Sequence, residues 1–154
     1  MSDDLLIRAR HVMTPDPVCC LPTDTAQHAA AILRDRRIGA IAVVHDHESR
    51  KLMGVVTDRD LCCSVVASNL EGKGILVRQV LTKNPVTCKT EDALEDCIAL
   101  IERYHVRRLP VVDGKGRIVG IVSLTDLARK VPPQSVSKAL VEVSTTRSRR
   151  HSAA

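Results

Sequence analysis

The chain has no phenylalanine and no tryptophan, and Tyr104 is the only aromatic residue among its 154. That excludes a core built on aromatic packing. It also removes the stacking platforms on which single-stranded nucleic acids are held. No apolar run approaches the ~20 residues of a membrane span. The opening Met1-Ser2-Asp3-Asp4 is acidic and Leu5-Leu6-Ile7 is short, so no signal peptide is expected. A continuous basic face is missing too. The net charge is +5, and Arg147, Arg149 and Arg150 of the tail account for three of it, leaving +5 − 3 = +2. Neither a nucleic-acid nor a membrane partner is expected from so mild a charge.

Catalytic signatures are absent as well. The sequence holds no nucleophile elbow, P-loop or dinucleotide fingerprint. None of its six cysteines forms a C-x-x-C pair, and its six histidines show no zinc-site spacing. The reading is a non-enzymatic, cytoplasmic chain with no catalytic residues, no metal and no required cofactor. Its thiols serve as small buried hydrophobes.

What is present is aliphatic and repeated. Val, Ile, Leu and Ala dominate, which suits buried parallel strands covered by helices. A repeat appears at a shift of 68: Val12-Met13-Thr14 falls on Val80-Leu81-Thr82, Pro17-Val18 on Pro85-Val86, Cys20 on Cys88, Asp24 on Asp92 and Val43-Val44 on Val111-Val112. The shift then drops to 66, placing Gly54-Val55-Val56-Thr57 on Gly120-Ile121-Val122-Ser123 and Asp60-Leu61 on Asp126-Leu127. Such self-similarity marks a duplicated supersecondary unit.

Each copy reads as β-α-β-β-α. In the second, Pro85–Cys88 is a short strand, and Glu91 and Asp92 bring negative charge to a helix start. Leu94, Cys97, Ile98 and Ile101 form one helical face. Leu109–Val112 and Arg117–Val122 are strands joined by the turn Asp113–Gly116, and a helix follows from about Thr125. The first copy gives a helix near Thr25–Arg36, strands at Ala40–Val44 and Lys51–Val56, and a helix from about Arg59. The expected fold is α/β, two such repeats with pseudo-twofold symmetry. Its expected domains are residues 8–68 and 76–130. A helix at 131–144 shows Val136, Leu140 and Val143 on one face, and 145–154 is a disordered basic tail.

The run Thr57-Asp58-Arg59-Asp60 recurs as Ser123-Leu124-Thr125-Asp126, where a strand ends and a helix begins. A hydroxyl and free backbone N–H groups there suit an anion. A carboxylate three residues on accepts hydrogen bonds from a vicinal diol. The alternative is that Thr57 and Ser123 are helix caps and nothing more.

These motifs, with Met13-Thr14-Pro15, Arg37-Ile38-Gly39-Ala40 and His105–Val112, resemble the cystathionine-β-synthase (CBS) domain family across roughly residues 8–130. The chain is similar to its small stand-alone tandem proteins, or Bateman modules, of the hypoxic-response type. The resemblance implies an adenine nucleotide (AMP, ADP or ATP) in clefts between the copies, with Asp60 and Asp126 on ribose hydroxyls. Thr57, Ser123 and Thr125 become phosphate or ribose donors, with Arg59 standing where Thr125 stands in the second copy. Thr14 and Thr82 match positions at the cleft mouth. Cys19 and Thr87 match strand positions beside the base, and Ile38-Gly39 and Val106-Arg107 the segment contacting adenine. Arg107 and Arg108, with no counterpart in copy one, suit phosphate through their donor fork. The resemblance further implies a homodimer regulating an unknown protein target in trans. A structural homodimer with empty clefts is the alternative.

Overall fold

The computed structural model describes residues 6–152, with side chains described as far as Val143. Two α/β repeats are present, and the chain divides into two compact units. The central unit comprises Pro17–Pro85 and Lys115–Ile118. The terminal unit comprises the residues up to Asp16, Val86–Gly114 and those from Val119 onward.

The central unit carries β2 (Cys19–Cys20), α2 (Ala26–Arg36), β3 (Ala40–Val44), β4 (Leu52–Thr57), α3 (Asp58–Leu61), α4 (Val77–Val80) and β5 (Thr82–Lys83). Its sheet order is β2-β3-β4-β5, with β2 parallel to β3 and the other pairs antiparallel. Thr25 caps α2 by accepting a hydrogen bond from His28 N at 3.1 Å. Ala26, Ala29 and Leu33 turn inward against Ile41, Val43 and Val56. Every residue of β3 is buried.

The terminal unit carries α1 (Ala9–Val12), β1 (Thr14–Pro15), β6 (Cys88–Lys89), α5 (Leu94–Tyr104), β7 (Arg108–Val112), β8 (Ile118–Ser123), α6 (Leu124–Lys130) and α7 (Pro133–Ser152). The sheet order β1-β8-β7-β6 repeats that of the central unit. The outer strand beside each hairpin, however, comes from the other sequence repeat: β1 pairs with β8, and β5 with β4. Leu94, Cys97, Ile98 and Ile101 of α5 are all buried, as their spacing predicts.

Three local expectations are corrected. Strand β6 begins only at Cys88, so Pro85–Thr87 lie outside it. Helix α5 starts at Leu94 behind Ala93, and Asp92 instead accepts from Lys89 N at 2.8 Å, fastening the turn before the helix. Helix α7 runs on to Ser152, through the segment expected to be disordered, because nothing after Pro133 breaks it and elongation adds one bond per residue. Among the described residues of α7, Val136, Ala139 and Val143 are buried, while Leu140 is exposed. This face packs against α5 and α6.

The close approach of each borrowed strand explains a repeated glycine. A Cβ on Gly54 would sit 2.5 Å from the Thr82 carbonyl oxygen and on Cδ1 of Leu81. On Gly120 it would meet Met13, with Cγ at 2.8 Å and Cβ at 3.1 Å. A Met side chain yields where a backbone oxygen does not. Gly54→Ala should therefore lower stability by about 1–3 kcal/mol, and Gly120→Ala by less. Urea unfolding of the two variants checks this, and equal costs would refute the strand-crowding explanation.

Candidate functional site

In the terminal unit, Ser123 closes β8 and caps α6, its hydroxyl accepting from Asp126 N at 3.0 Å. Asp126 is half-buried, and its Oδ2 accepts from Thr14 Oγ1 at 3.2 Å. Thr14 is placed there by β1, where it pairs with Ile121. A carboxylate offers about four lone-pair positions, so one hydroxyl leaves room for a diol. Leu124 N donates to Arg107 O at 3.0 Å, tying the segment Val106-Arg107 to the first turn of α6. Arg107 and Thr125 are exposed, Arg108 is half-buried at the start of β7, and Thr87 stands just before β6.

The central unit repeats the arrangement with one difference. Thr57 caps α3, its hydroxyl accepting from Asp60 N at 3.1 Å, and Asp60 Oδ2 accepts from Thr57 N at 2.9 Å. This is a closed capping box. Asp60 is thus held by its own turn, whereas Asp126 reaches a hydroxyl 112 residues away. Asp58 N donates to Gly39 O at 3.1 Å, the counterpart of the Leu124–Arg107 bond. Arg59 is exposed, and Thr82 pairs with Val55 on β5. Cys19 lies on β2, its thiol donating to Pro17 O at 3.4 Å, and Ile38 is partly exposed next to Gly39.

The candidate residues therefore gather in two sets. Thr14, Thr87, Val106, Arg107, Arg108, Ser123, Thr125 and Asp126 belong to the terminal unit. Cys19, Ile38, Gly39, Thr57, Arg59, Asp60 and Thr82 belong to the central one. Sequence reasoning missed that Thr14 joins the Asp126 of the second repeat and Thr82 the strand of the first. A gapless repeat is equally compatible with contiguous and exchanged strands, so no sequence signal separates them.

Both segments reach the turns through the same backbone device. Arg37 and His105, equivalent residues ending α2 and α5, adopt the left-handed conformation with φ of 53° in each case. This reverses the chain at once and aims Ile38-Gly39 and Val106-Arg107 at the following helix starts.

The cysteines depart in part from expectation. Cys20, Cys88 and Cys97 are buried, but Cys62 and Cys63 are exposed, on a wide turn over Cys62–Val66 where Ala67 N donates to Cys62 O. Burial, with Asp24 and Cys19 adding to it, pushes the Cys20 thiol up to about 12. A hydrogen bond with Cys97, then burial, push Cys88 up. Among the described residues no group of three or more His, Cys, Asp or Glu could hold a metal ion, and no helix is long and apolar enough to cross a membrane.

The comparisons agree with this architecture. The CBS domain family matches residues 9–66 and 77–133. The CBS domain-containing protein YhcV of Bacillus subtilis (strain 168) is 34% identical over 136 residues, covering 88% of this chain and 94% of that protein. The crystal structure of Hypoxic Response Protein I with two coordinated zinc ions superposes with a TM-score of 0.72 at 28% identity, over 82% of this chain and 100% of the other. That of CBSX2 in complex with AMP gives 0.68 at 28% identity, over 79% and 93%. With two matched copies filling most of its length and the duplicated β-α-β-β-α architecture in place, the chain belongs to the CBS-domain family as a tandem pair.

Proposed function

We propose that the chain is a regulatory, non-catalytic module that binds an adenine nucleotide of the AMP, ADP or ATP class and, as a homodimer, acts on a protein target in trans. The observation that carries this reading is the Thr14–Asp126 pair above the Ser123 cap. It presents a carboxylate with spare acceptor capacity to a ribose diol, beside the backbone of Val106-Arg107. The AMP complex of CBSX2, a protein of the same architecture, supports the ligand class. Arg107 and Arg108 supply charge-assisted donors for phosphate. Asp60 and Asp126 each accept one hydrogen bond at Oδ2, so both turns keep acceptor capacity for a diol.

Calorimetry with AMP, ADP, ATP, NAD and S-adenosylmethionine tests the proposal. Asp126→Ala and Asp60→Ala should each weaken binding at their own turn by about 1–3 kcal/mol, roughly 5- to 150-fold. Arg107→Ala and Arg108→Ala should cost ATP more affinity than AMP. A double aspartate variant that binds every nucleotide like the parent would leave the alternative, an interaction module with empty clefts.

A further inference from the structure

The central unit has a concavity remote from the Thr57 turn. It is an open groove of about 550 Å³ with Pro22, Leu52, Met53 and Leu81 as its apolar floor and His45, Arg78, Lys83 and Asn84 around it. Leu81 and Lys83 flank Thr82 and both line the groove, while Thr82 does not. Alternation along the strand puts Thr82 on the opposite face. Along β4 the groove sits at Leu52 and Met53, five and four residues from Thr57, about 13–17 Å at 3.3 Å per residue.

The duplication supplies an internal control. The positions equivalent to His45, Arg78, Lys83 and Asn84 are Asp113, Arg10, Pro15 and Asp16. The central unit thus places two permanent cations, a histidine and an amide where the terminal unit has one cation, two acids and a proline. Most of the apolar floor is kept in kind: Leu52, Met53 and Leu81 correspond to Ile118, Val119 and Met13, while Pro22 corresponds to Thr90. No acidic residue lines the central groove, and the neighbouring Asp46 is occupied by Ser49, which donates from both its backbone N and its hydroxyl at 2.6 Å. Three of the four floor positions stay apolar while the charge is reversed, the change expected where one copy alone takes an anion.

We infer that this groove binds a small amphipathic organic anion, its carboxylate or phosphate head between Arg78 and Lys83 and its apolar body on Leu52, Met53 and Leu81. The size falls within the range of small-ligand sites, a few polar groups over an apolar surface. Arginine's fork fits either head group, and lysine adds a point charge. The inference is independent of the nucleotide reading, since the groove shares no candidate nucleotide residue.

Octanoate, octyl phosphate and octanol are the probes, followed by amide chemical shifts and thermal melting. At least one anion should bind, moving the amides of Leu52, Met53, Lys83 and Asn84, while octanol binds at least tenfold more weakly. Whichever anion binds more tightly identifies the head group. Arg78→Glu combined with Lys83→Glu should lower anion affinity tenfold or more and leave AMP affinity unchanged, whereas Asp60→Ala and Asp126→Ala should leave anion affinity unchanged. Binding of neither anion at millimolar concentration would overturn the inference. So would octanol binding equally well, unaltered affinity in the double variant, or loss of anion binding in the aspartate variants.

Discussion

Replacing Ala139 by Glu should destabilise the protein by about 3–5 kcal/mol, a large share of the 5–15 kcal/mol that typical domains possess. Ala139 is fully buried where α7 lies on α5 and α6. A glutamate there adds volume to a packed core and brings a carboxylate among Leu, Ile and Val side chains with no partner supplied. Overpacking alone costs about 1–3 kcal/mol, and an unpaired buried charge adds to it until the group takes up a proton. Leu140→Glu, one residue on, is the control. Leu140 is 41% exposed, so its variant should stay within about 0.5 kcal/mol of the parent. Urea unfolding of both separates docking from helix propensity, which the substitutions share on one helix. Matching midpoints for the two variants would show that α7 does not pack on this face.

The second large effect concerns thiol chemistry. At pH 8, Cys20 should react with iodoacetamide about a thousandfold more slowly than a free thiol in water, while the exposed Cys62 and Cys63 are labelled first. Only the thiolate attacks. With the Cys20 pKa near 12, its thiolate fraction at pH 8 is about 10⁻⁴, against a few tenths for a thiol of pKa 8.5. The same displacement acts on stability. Folding raises the pKa, so the protonated native thiol is favoured. Its contribution is complete below about pH 9 and disappears as pH climbs toward 12, amounting to at most about 3–4 kcal/mol. Cys20→Ala should flatten the decline of stability between pH 9 and 11, a slope comparison unaffected by the small cavity the substitution leaves. Mass spectrometry showing Cys20 labelled alongside Cys62 would contradict the burial on which this rests.

Much of this architecture is legible in the residues themselves. The period-3.6 face of α5 and the continuous aliphatic run of β3 announce themselves because burial on one side, or on both, leaves different spacings. The strand-to-helix turns are equally visible, since hydroxyl and carboxylate stand at cap spacing in both copies. Other features depend on neighbours that no local pattern encodes. Leu140 fits an apolar face by spacing, yet the small Ala139 lies where helices approach closely. Glu91 and Asp92 have the charge of a helix start, but Asp92 is used one turn earlier. Cys62 and Cys63 look like core thiols until the wide turn carries them outward. Within the candidate site, residue types were readable, but their partners were not. The hydroxyl that meets Asp126 comes from the opposite end of the chain.

That exchange of outer strands makes the two halves inseparable by any single cut. A fragment beginning after residue 75 would lack β1, leaving β8 with an open edge and Asp126 without its hydroxyl. A fragment ending there would leave β4 similarly bare, without β5. During synthesis β1 is made before its partner strand and can pair only once Ile121, more than a hundred residues on, has been made. The central unit, drawn mostly from one continuous stretch, has nearly all its parts much sooner. Pairing across such a sequence separation is slow, because a long loop must close before any contact rewards it. Recombination is constrained unequally: the central unit is nearly one contiguous cassette, whereas the terminal unit is split around it and cannot be exchanged as a single piece.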